Sequence, residues 1–287
     1  MTKNTTISSS ACADTIERQE IQRSHQNSDC SKANNLIYRK SRGIHDSKVN
    51  ITPRFFRFGA VCALLTTLTT LVVHVMPNLW NDAMSFEQQV ELRLNSLYLT
   101  NRWVVLLHCV LVVVSMFALG LPAMRRAPVA VIFGFLAFAC FGFTEMLRTA
   151  ISIFAINRNW RAAYASAVDS ATRERFRGFI ESYSGINDAL FFIFYTAFTL
   201  GLICYGIAFL RTSSCMSHLG ILFVVWALLN LPGWIDAVIG TELLGRYFEW
   251  VGPVFQPIAR AWIGVWLWRN AGWAAASMAQ APRLTQR

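Results

Sequence analysis

The apolar residues of this chain fall in six long blocks, not in alternating or one-sided patterns. Each block is close to the roughly 20 residues that a helix needs to cross a hydrocarbon core of about 30 Å. Leu, Val, Ile and Phe fill whole helical turns, as in helices surrounded by lipid or by other helices. The pattern therefore predicts an all-α, polytopic membrane protein with six transmembrane helices, at residues 58–80, 104–121, 129–156, 189–210, 219–239 and 251–268.

The two ends of the chain lack such blocks. Residues 1–52 are rich in Ser, Asn, Thr and charged side chains, and a segment of that composition cannot bury enough apolar surface to offset its ordering entropy. The segment also lacks the apolar core of a signal peptide. We expect a disordered cytoplasmic tail at 1–52, a transmembrane domain at 53–270 and a short cytoplasmic tail at 271–287.

Two connections between the blocks carry helical patterns of their own. Residues 81–102 place Phe86, Val90, Leu94 and Leu97 at spacings of three and four, which predicts an amphipathic helix that lies on the bilayer or caps the bundle. Residues 157–185 are also compatible with helix and contain the basic stretch RERFR.

The composition agrees with that of a membrane protein, and the positive net charge is explained by the orientation of the chain in the membrane. Only 15% of the residues are charged, against about 25% in soluble domains. The net charge is +10, and 16 of the 26 Lys and Arg residues fall in the first 57 residues, after the sixth block, or in the connections after the second and fourth blocks. The positive-inside rule then places both termini in the cytoplasm, although the arginines of 157–185 count against this orientation. A nucleic-acid partner is not indicated, and the absence of disulfide spacing and of external glycosylation sequons favours a bacterial plasma membrane.

Ionisable residues inside the blocks are the candidate functional residues, since each costs about 2.5–3.5 kcal/mol at the middle of a membrane. With cytoplasmic termini, they gather in the outer half of the bundle. One hypothesis is a ligand site in an outer polar cleft, made by Glu145, Arg148, Asp188, Asp236 and Arg260. The other is that charges such as Glu145 and Arg148, three residues apart, form ion pairs that fix the helix packing.

Metal binding and catalysis have little support in the sequence. His74 and His108 are weak candidate metal ligands, because they lie on different helices and no HExxH motif is present. The seven cysteines show no CxxC spacing, and no nucleophile motif occurs. No cofactor is predicted, and an intramembrane metal-dependent hydrolase is the least favoured function.

The sequence leaves two main functions open. The first is binding or transport of a small molecule or ion through the outer cleft, and the second is a membrane scaffold or assembly role. The lipid bilayer is the one partner that the pattern requires, and nothing in the sequence indicates the oligomeric state.

Overall fold

The computed structural model describes residues 51–79, 85–212, 214–241 and 249–279. Nearly all of the predicted N-terminal tail, together with residues 80–84 and the last eight residues, lies outside these ranges. Within them the secondary structure is helical, with no strand.

Nine α-helices follow one another along the described residues. They are α1 (Pro53–Val75), α2 (Phe86–Glu91), α3 (Ser96–Gly120), α4 (Pro128–Ile151), α5 (Arg161–Ser166), α6 (Ser170–Leu210), α7 (Ser214–Ile239), α8 (Phe255–Arg269) and α9 (Ala271–Ala279). A wider π-helical segment, Ser152–Trp160, joins α4 to α5 without a break.

Five helical stretches in the described part of the chain are long and apolar enough to cross a membrane. They are Pro53–Val75, Ser96–Ala123, Pro128–Ser166, Ser170–Leu210 and Cys215–Ile239. The prediction of an all-α membrane bundle is confirmed. The sixth predicted span, 251–268, differs: it contains α8, whose 15 residues extend only about 22 Å at 1.5 Å per residue.

The short helix α8 nevertheless packs along most of α1. Glycines make the close approach possible, since a Cβ added to Gly252 would lie 2.6 Å from His74 Cε1. One added to Gly264 would lie 2.7 Å from Leu64 Cγ. Residues 252 and 264 therefore meet α1 at positions 74 and 64, so the two helices run antiparallel.

The long helices form a ring around an aromatic core. In order, α8 packs on α1, α1 on α3, α3 on α4, α4 on α6, and α6 on α7. Aromatic side chains fill the remaining junction between α7 and α8, where the rings of Trp226 and Phe255 lie 6.0 Å apart. At the centre, the fully buried Tyr205 donates its hydroxyl to the Met116 carbonyl at 2.9 Å.

The two ends of the bundle differ in chemistry. The end that holds Arg125, Arg126 and Arg211 is called the proximal end. There the guanidinium of Arg126 donates to the Thr212 carbonyl, and Arg125 Nη2 donates to the Met278 carbonyl at 2.9 Å. The opposite end, which holds Glu145 and Arg148, is called the distal end.

The connection at 157–185 is mostly a continuation of two membrane helices. The helical stretch 128–166 has 39 residues and α6 has 41, or about 58 and 61 Å, twice the thickness of a hydrocarbon core. The two helices therefore project from the distal end as a hairpin. The Asp169 carboxylate begins α6 by accepting a hydrogen bond from the Thr172 N–H at 2.7 Å, which lowers the pKa of Asp169.

The predicted amphipathic helix at 81–102 is shorter in the structure. Its helix α2 begins with a capping box between Ser85 and Gln88 and continues as a single 3₁₀ turn to Leu94. The Asn95 side chain then accepts the N–H groups of Leu97 and Tyr98 and starts α3, so the second membrane helix begins eight residues before the apolar block does.

Candidate functional site

Glu145 and Arg148 form a two-pronged ion pair on α4. Arg148 Nε donates to Glu145 Oε2 at 2.7 Å, and Arg148 Nη2 donates to Glu145 Oε1 at 2.6 Å. The Glu145 side chain is 8% exposed and that of Arg148 is 21% exposed. Because both oxygens are used, the carboxylate neutralises this guanidinium fully.

The pair also connects α4 to α6. Arg148 Nη1 donates to Asn187 Oδ1 at 3.1 Å, and the Tyr183 hydroxyl donates to the Arg148 carbonyl at 3.1 Å. Arg148 is 20 residues beyond Pro128, which is about 30 Å along the helix and so equals the thickness of a hydrocarbon core. A hydrocarbon core that began at Pro128 would therefore end near these two charges.

A cavity of about 320 Å³ lies beside the pair, and we call it the distal cavity. Residues of α2 to α6 and of the π-helical segment line it. Three of the lining residues are arginines: Arg102, Arg148 and Arg161. The other polar lining residues are Gln89, Tyr98, Thr149, Ser152, Tyr183, Ser184 and Asn187.

Two of the three arginines lie against the same tyrosine. The guanidinium carbons of Arg102 and Arg161 are 4.8 and 5.7 Å from the centre of the Tyr98 ring. Arg161 is 8% exposed, and its Nη1 donates to Asn157 Oδ1 at 2.7 Å. In the described ranges, neither Arg102 nor Arg161 has a carboxylate within 4.0 Å.

Several polar atoms around the cavity lack a hydrogen-bond partner within the described part of the chain. They are Arg102 Nε, Arg161 Nε and Thr149 Oγ1, all buried. Buried N–H groups normally find an acceptor, and leaving one unsatisfied costs about 1–3 kcal/mol. The guanidinium groups of Arg102 and Arg161 thus each carry a charge without a carboxylate and an N–H group without an acceptor. These two features make the distal cavity suited to an anion.

The local backbone explains how these side chains converge. Tyr98 and Arg102 are four residues apart on α3 and so share one face. The π-helical segment places Ser152 and Ile156 in the cavity wall, and Ser152 Oγ lies 3.2 Å from the Tyr98 hydroxyl. Wider π-turns often occur at functional sites, because they change the direction in which side chains point.

The other predicted site residues lie elsewhere. Asp188 is exposed, and its carboxylate is 3.4 Å from Asn187 Nδ2. Asp236 is buried near the end of α7, where it accepts the Thr241 hydroxyl at 2.8 Å. Arg260 is buried in α8 beside Trp226. The structure thus brings Glu145 and Arg148 together and does not place the other three around the distal cavity.

The sequence did not identify Tyr98, Arg102 and Arg161 as site residues. Both arginines lie in connections that the sequence predicts to be external, where basic residues indicate topology and not a binding site. The signal that could have found them is the four-residue spacing of Tyr98 and Arg102, together with the helical pattern that continues beyond the third apolar block.

The candidate metal ligands are also apart from the cavity. His108 Nδ1 is 2.7 Å from the Thr69 hydroxyl, and the His74 ring lies against Gly252. Among the residues that the structure describes, no group of three or more His, Cys, Asp and Glu side chains could hold a metal ion.

A second cavity, of about 710 Å³, lies at the proximal end between α7 and α8. Ile258, Trp262 and Val265 line it, with His218 and Arg269. Trp262 is 56% exposed, as expected for a surface that faces lipid. This cavity has fewer polar groups than the distal cavity and no cluster of charge, so the distal cavity is the stronger candidate site.

Comparison of the chain with protein families, with curated proteins and with solved structures found no match.

Proposed function

We propose that this membrane protein binds a small anionic ligand in the distal cavity. The observation that carries the proposal is the pair Arg102 and Arg161, which lie against one tyrosine ring with no carboxylate within 4.0 Å in the described ranges. A ligand that brings a phosphate or carboxylate group would supply the missing negative charge.

The chemistry of the donors favours an oxyanion. A guanidinium presents its N–H groups in a planar fork that matches two oxygens of a phosphate or carboxylate. The free Nε atoms of Arg102 and Arg161 are parts of two such forks. The hydroxyls of Tyr98, Thr149 and Ser152 can donate to the remaining oxygens of the ligand.

Glu145 sets the charge of the ligand that fits. It neutralises Arg148 by two hydrogen bonds, so the cavity keeps the charge of Arg102 and Arg161 alone, close to +2. A dianion balances that charge. A volume of about 320 Å³ is at the lower end of the usual 300–1,000 Å³ for ligand pockets, so we infer a ligand about the size of phosphate or a small dicarboxylic acid.

The proposal includes an orientation in the membrane. Arg125, Arg126 and Arg211 lie at the proximal end, and by the positive-inside rule that end faces the cytoplasm. The distal cavity would then open on the outer side of a bacterial plasma membrane, where it can exchange ligand with water.

A scaffold role is the second candidate, and one observation favours it. The hydrogen bond from Arg148 to Asn187, and that from Tyr183 to the Arg148 carbonyl, join α4 to α6. These contacts are what a packing device at a helix junction would make. A scaffold role does not explain why Arg102 and Arg161 lack carboxylates.

The test is a phosphate titration of the full-length chain in detergent, read by thermal unfolding at constant ionic strength. We expect inorganic phosphate or succinate to raise the unfolding midpoint, because a ligand that binds only the native state stabilises it. Arg161→Gln should weaken the response about 10- to 100-fold, as expected for losing charged hydrogen bonds worth about 1.5–3 kcal/mol.

The matched control is Arg158→Gln. Arg158 lies three residues away, is exposed, and contacts Phe154 instead of the cavity. Its removal should leave the titration unchanged. An absent response to both anions in the unmodified chain would contradict the proposal, as would equal effects of the two substitutions.

A further inference from the structure

Arg260 is a second arginine without a carboxylate, and it lies far deeper in the bundle. It precedes Arg269, at the end of α8, by nine residues, or about 14 Å along the helix, close to half the thickness of a hydrocarbon core. Its side chain is 2% exposed. Burial of a charge at this depth costs several kcal/mol unless something compensates it.

Arg260 and Trp226 carry buried hydrogen-bond donors that lack an acceptor in the described ranges. Arg260 Nε and Nη1 are buried and have no partner in the described ranges, and the same is true of Trp226 Nε1. The guanidinium carbon lies 5.5 Å from the centre of the Trp226 ring, so the three N–H groups belong to two side chains in contact.

The neighbouring ionisable groups do not supply a negative charge. No carboxylate lies within 4.0 Å of Arg260 in the part of the chain that the structure describes. The ionisable side chains near Arg260 are those of His74, His108 and Cys109, and none of them is a carboxylate. The attraction of the guanidinium to the Trp226 ring is worth about 2 kcal/mol when dry and satisfies none of the three N–H groups.

We propose that Arg260 and Trp226 bind a monovalent anion of halide size, such as chloride, inside the helical bundle. One negative charge neutralises the one guanidinium, and a spherical acceptor can receive N–H groups from both side chains. A buried water could accept hydrogen bonds there but would leave the charge uncompensated. This inference goes beyond the proposed function, because the site lies in α7 and α8 and shares no residue with the distal cavity.

The position of this site gives it a structural consequence. Arg260 is on α8 and Trp226 is on α7, and these helices meet through aromatic side chains. An anion held by both would join the two helices at the last junction of the ring. Its binding should therefore be visible as a gain in thermal stability.

The experiment measures the unfolding midpoint of the full-length chain in detergent while chloride replaces gluconate at constant ionic strength. We expect the midpoint to rise by several degrees and to level off as the site fills. Arg260→Met should abolish the dependence. Trp226→Phe keeps an aromatic ring but removes one donor, and should shift the dependence to higher chloride, which provides a milder variant if Arg260→Met does not fold.

Two controls separate this site from the distal cavity. Arg161→Gln should lose the phosphate response and keep the chloride response, and Arg211→Gln, an exposed arginine at the proximal end, should keep both. A midpoint of the unmodified chain that is indifferent to chloride would overturn the proposal. So would a chloride response that survives in Arg260→Met, or one that disappears in Arg161→Gln.

Discussion

Arg148 and Arg260 are both arginines in apolar helices, yet their surroundings are opposite. Arg148 is three residues from Glu145, bonds both carboxylate oxygens and reaches Asn187 on the next helix. Arg260 lies against an aromatic ring, and two of its nitrogens have no partner in the described part of the chain. The first charge is compensated within the protein, and the second is not.

The contrast separates two reasons for keeping a charge in a membrane helix. A pair on one helix face compensates its own charge and can position a guanidinium for contact with a neighbouring helix. A single charge near the middle of the membrane has no carboxylate on the same helix face to compensate it. The compensated arginine therefore indicates packing, and the uncompensated arginines, Arg260 as well as Arg102 and Arg161, indicate binding.

The largest expected effect comes from breaking the compensated pair. Glu145→Gln leaves the Arg148 charge without its carboxylate and should destabilise the fold by roughly 2–3 kcal/mol. This is less than the 3–5 kcal/mol for breaking a fully buried pair, since the Arg148 side chain is 21% exposed. Equilibrium unfolding in detergent measures the loss.

The double variant Glu145→Gln with Arg148→Gln decides what that loss means. It should recover more than half of the stability lost in Glu145→Gln, because no unpaired charge remains. The double variant could instead lose the sum of the stabilities lost in Glu145→Gln and in Arg148→Gln. The carboxylate would then act through something other than Arg148, and the packing interpretation would fail.

A smaller effect of opposite sign is expected at Arg260. In chloride-free gluconate, Arg260→Met should raise the free energy of unfolding by about 2 kcal/mol, because it removes two unsatisfied N–H groups and a buried charge while keeping an unbranched side chain. In saturating chloride the gain should shrink. If Arg260→Met destabilised the protein in both buffers, Arg260 would not be an uncompensated charge, and it would not differ from Arg148 in this respect.

The sequence predicts the bundle because long apolar blocks have few other structures available. The Glu145–Arg148 contact also follows from a spacing of three on one helix. The short sixth helix does not follow, since Val251–Val254 is as apolar as α8 and still lies outside it. The length of α6 does not follow either, since this helix begins 19 residues before the predicted apolar block, in a polar-rich stretch stabilised by helix propensity and the Asp169 cap.

The distal cavity could be predicted only in part. Glu145 and Arg148 stand out as charges in an apolar run, but Arg102 and Arg161 occur where charge is common. Arg102 and Arg161 come together through the packing of α3 against the π-helical segment and α5, and the periodicity of a single helix does not predict such packing. The same holds for Trp226 and Arg260, which are 34 residues apart and meet only when the ring closes.

The smallest effect is expected at Asp169, a fully exposed charge at the tip of the hairpin that α6 forms with the helical stretch 128–166. The hydrogen bond from the Thr172 N–H holds the pKa of Asp169 below its ordinary value, so the cap is complete near neutral pH and is lost as the pH falls below about 4. Opening should be confined to the first turn of α6, because protonation removes one acceptor and breaks no packing. Amide exchange of residues 171–173, compared at pH 6 and pH 3, measures the opening of this turn.

Asp169→Asn keeps a neutral acceptor at the same place and supplies the control, since the amide protection in this variant should not change with pH once intrinsic exchange rates are divided out. Equal pH dependence in both chains would mean that the carboxylate charge does not hold this turn. Loss of protection that spreads down α6 towards Tyr183 would instead couple the hairpin tip to the Arg148 junction.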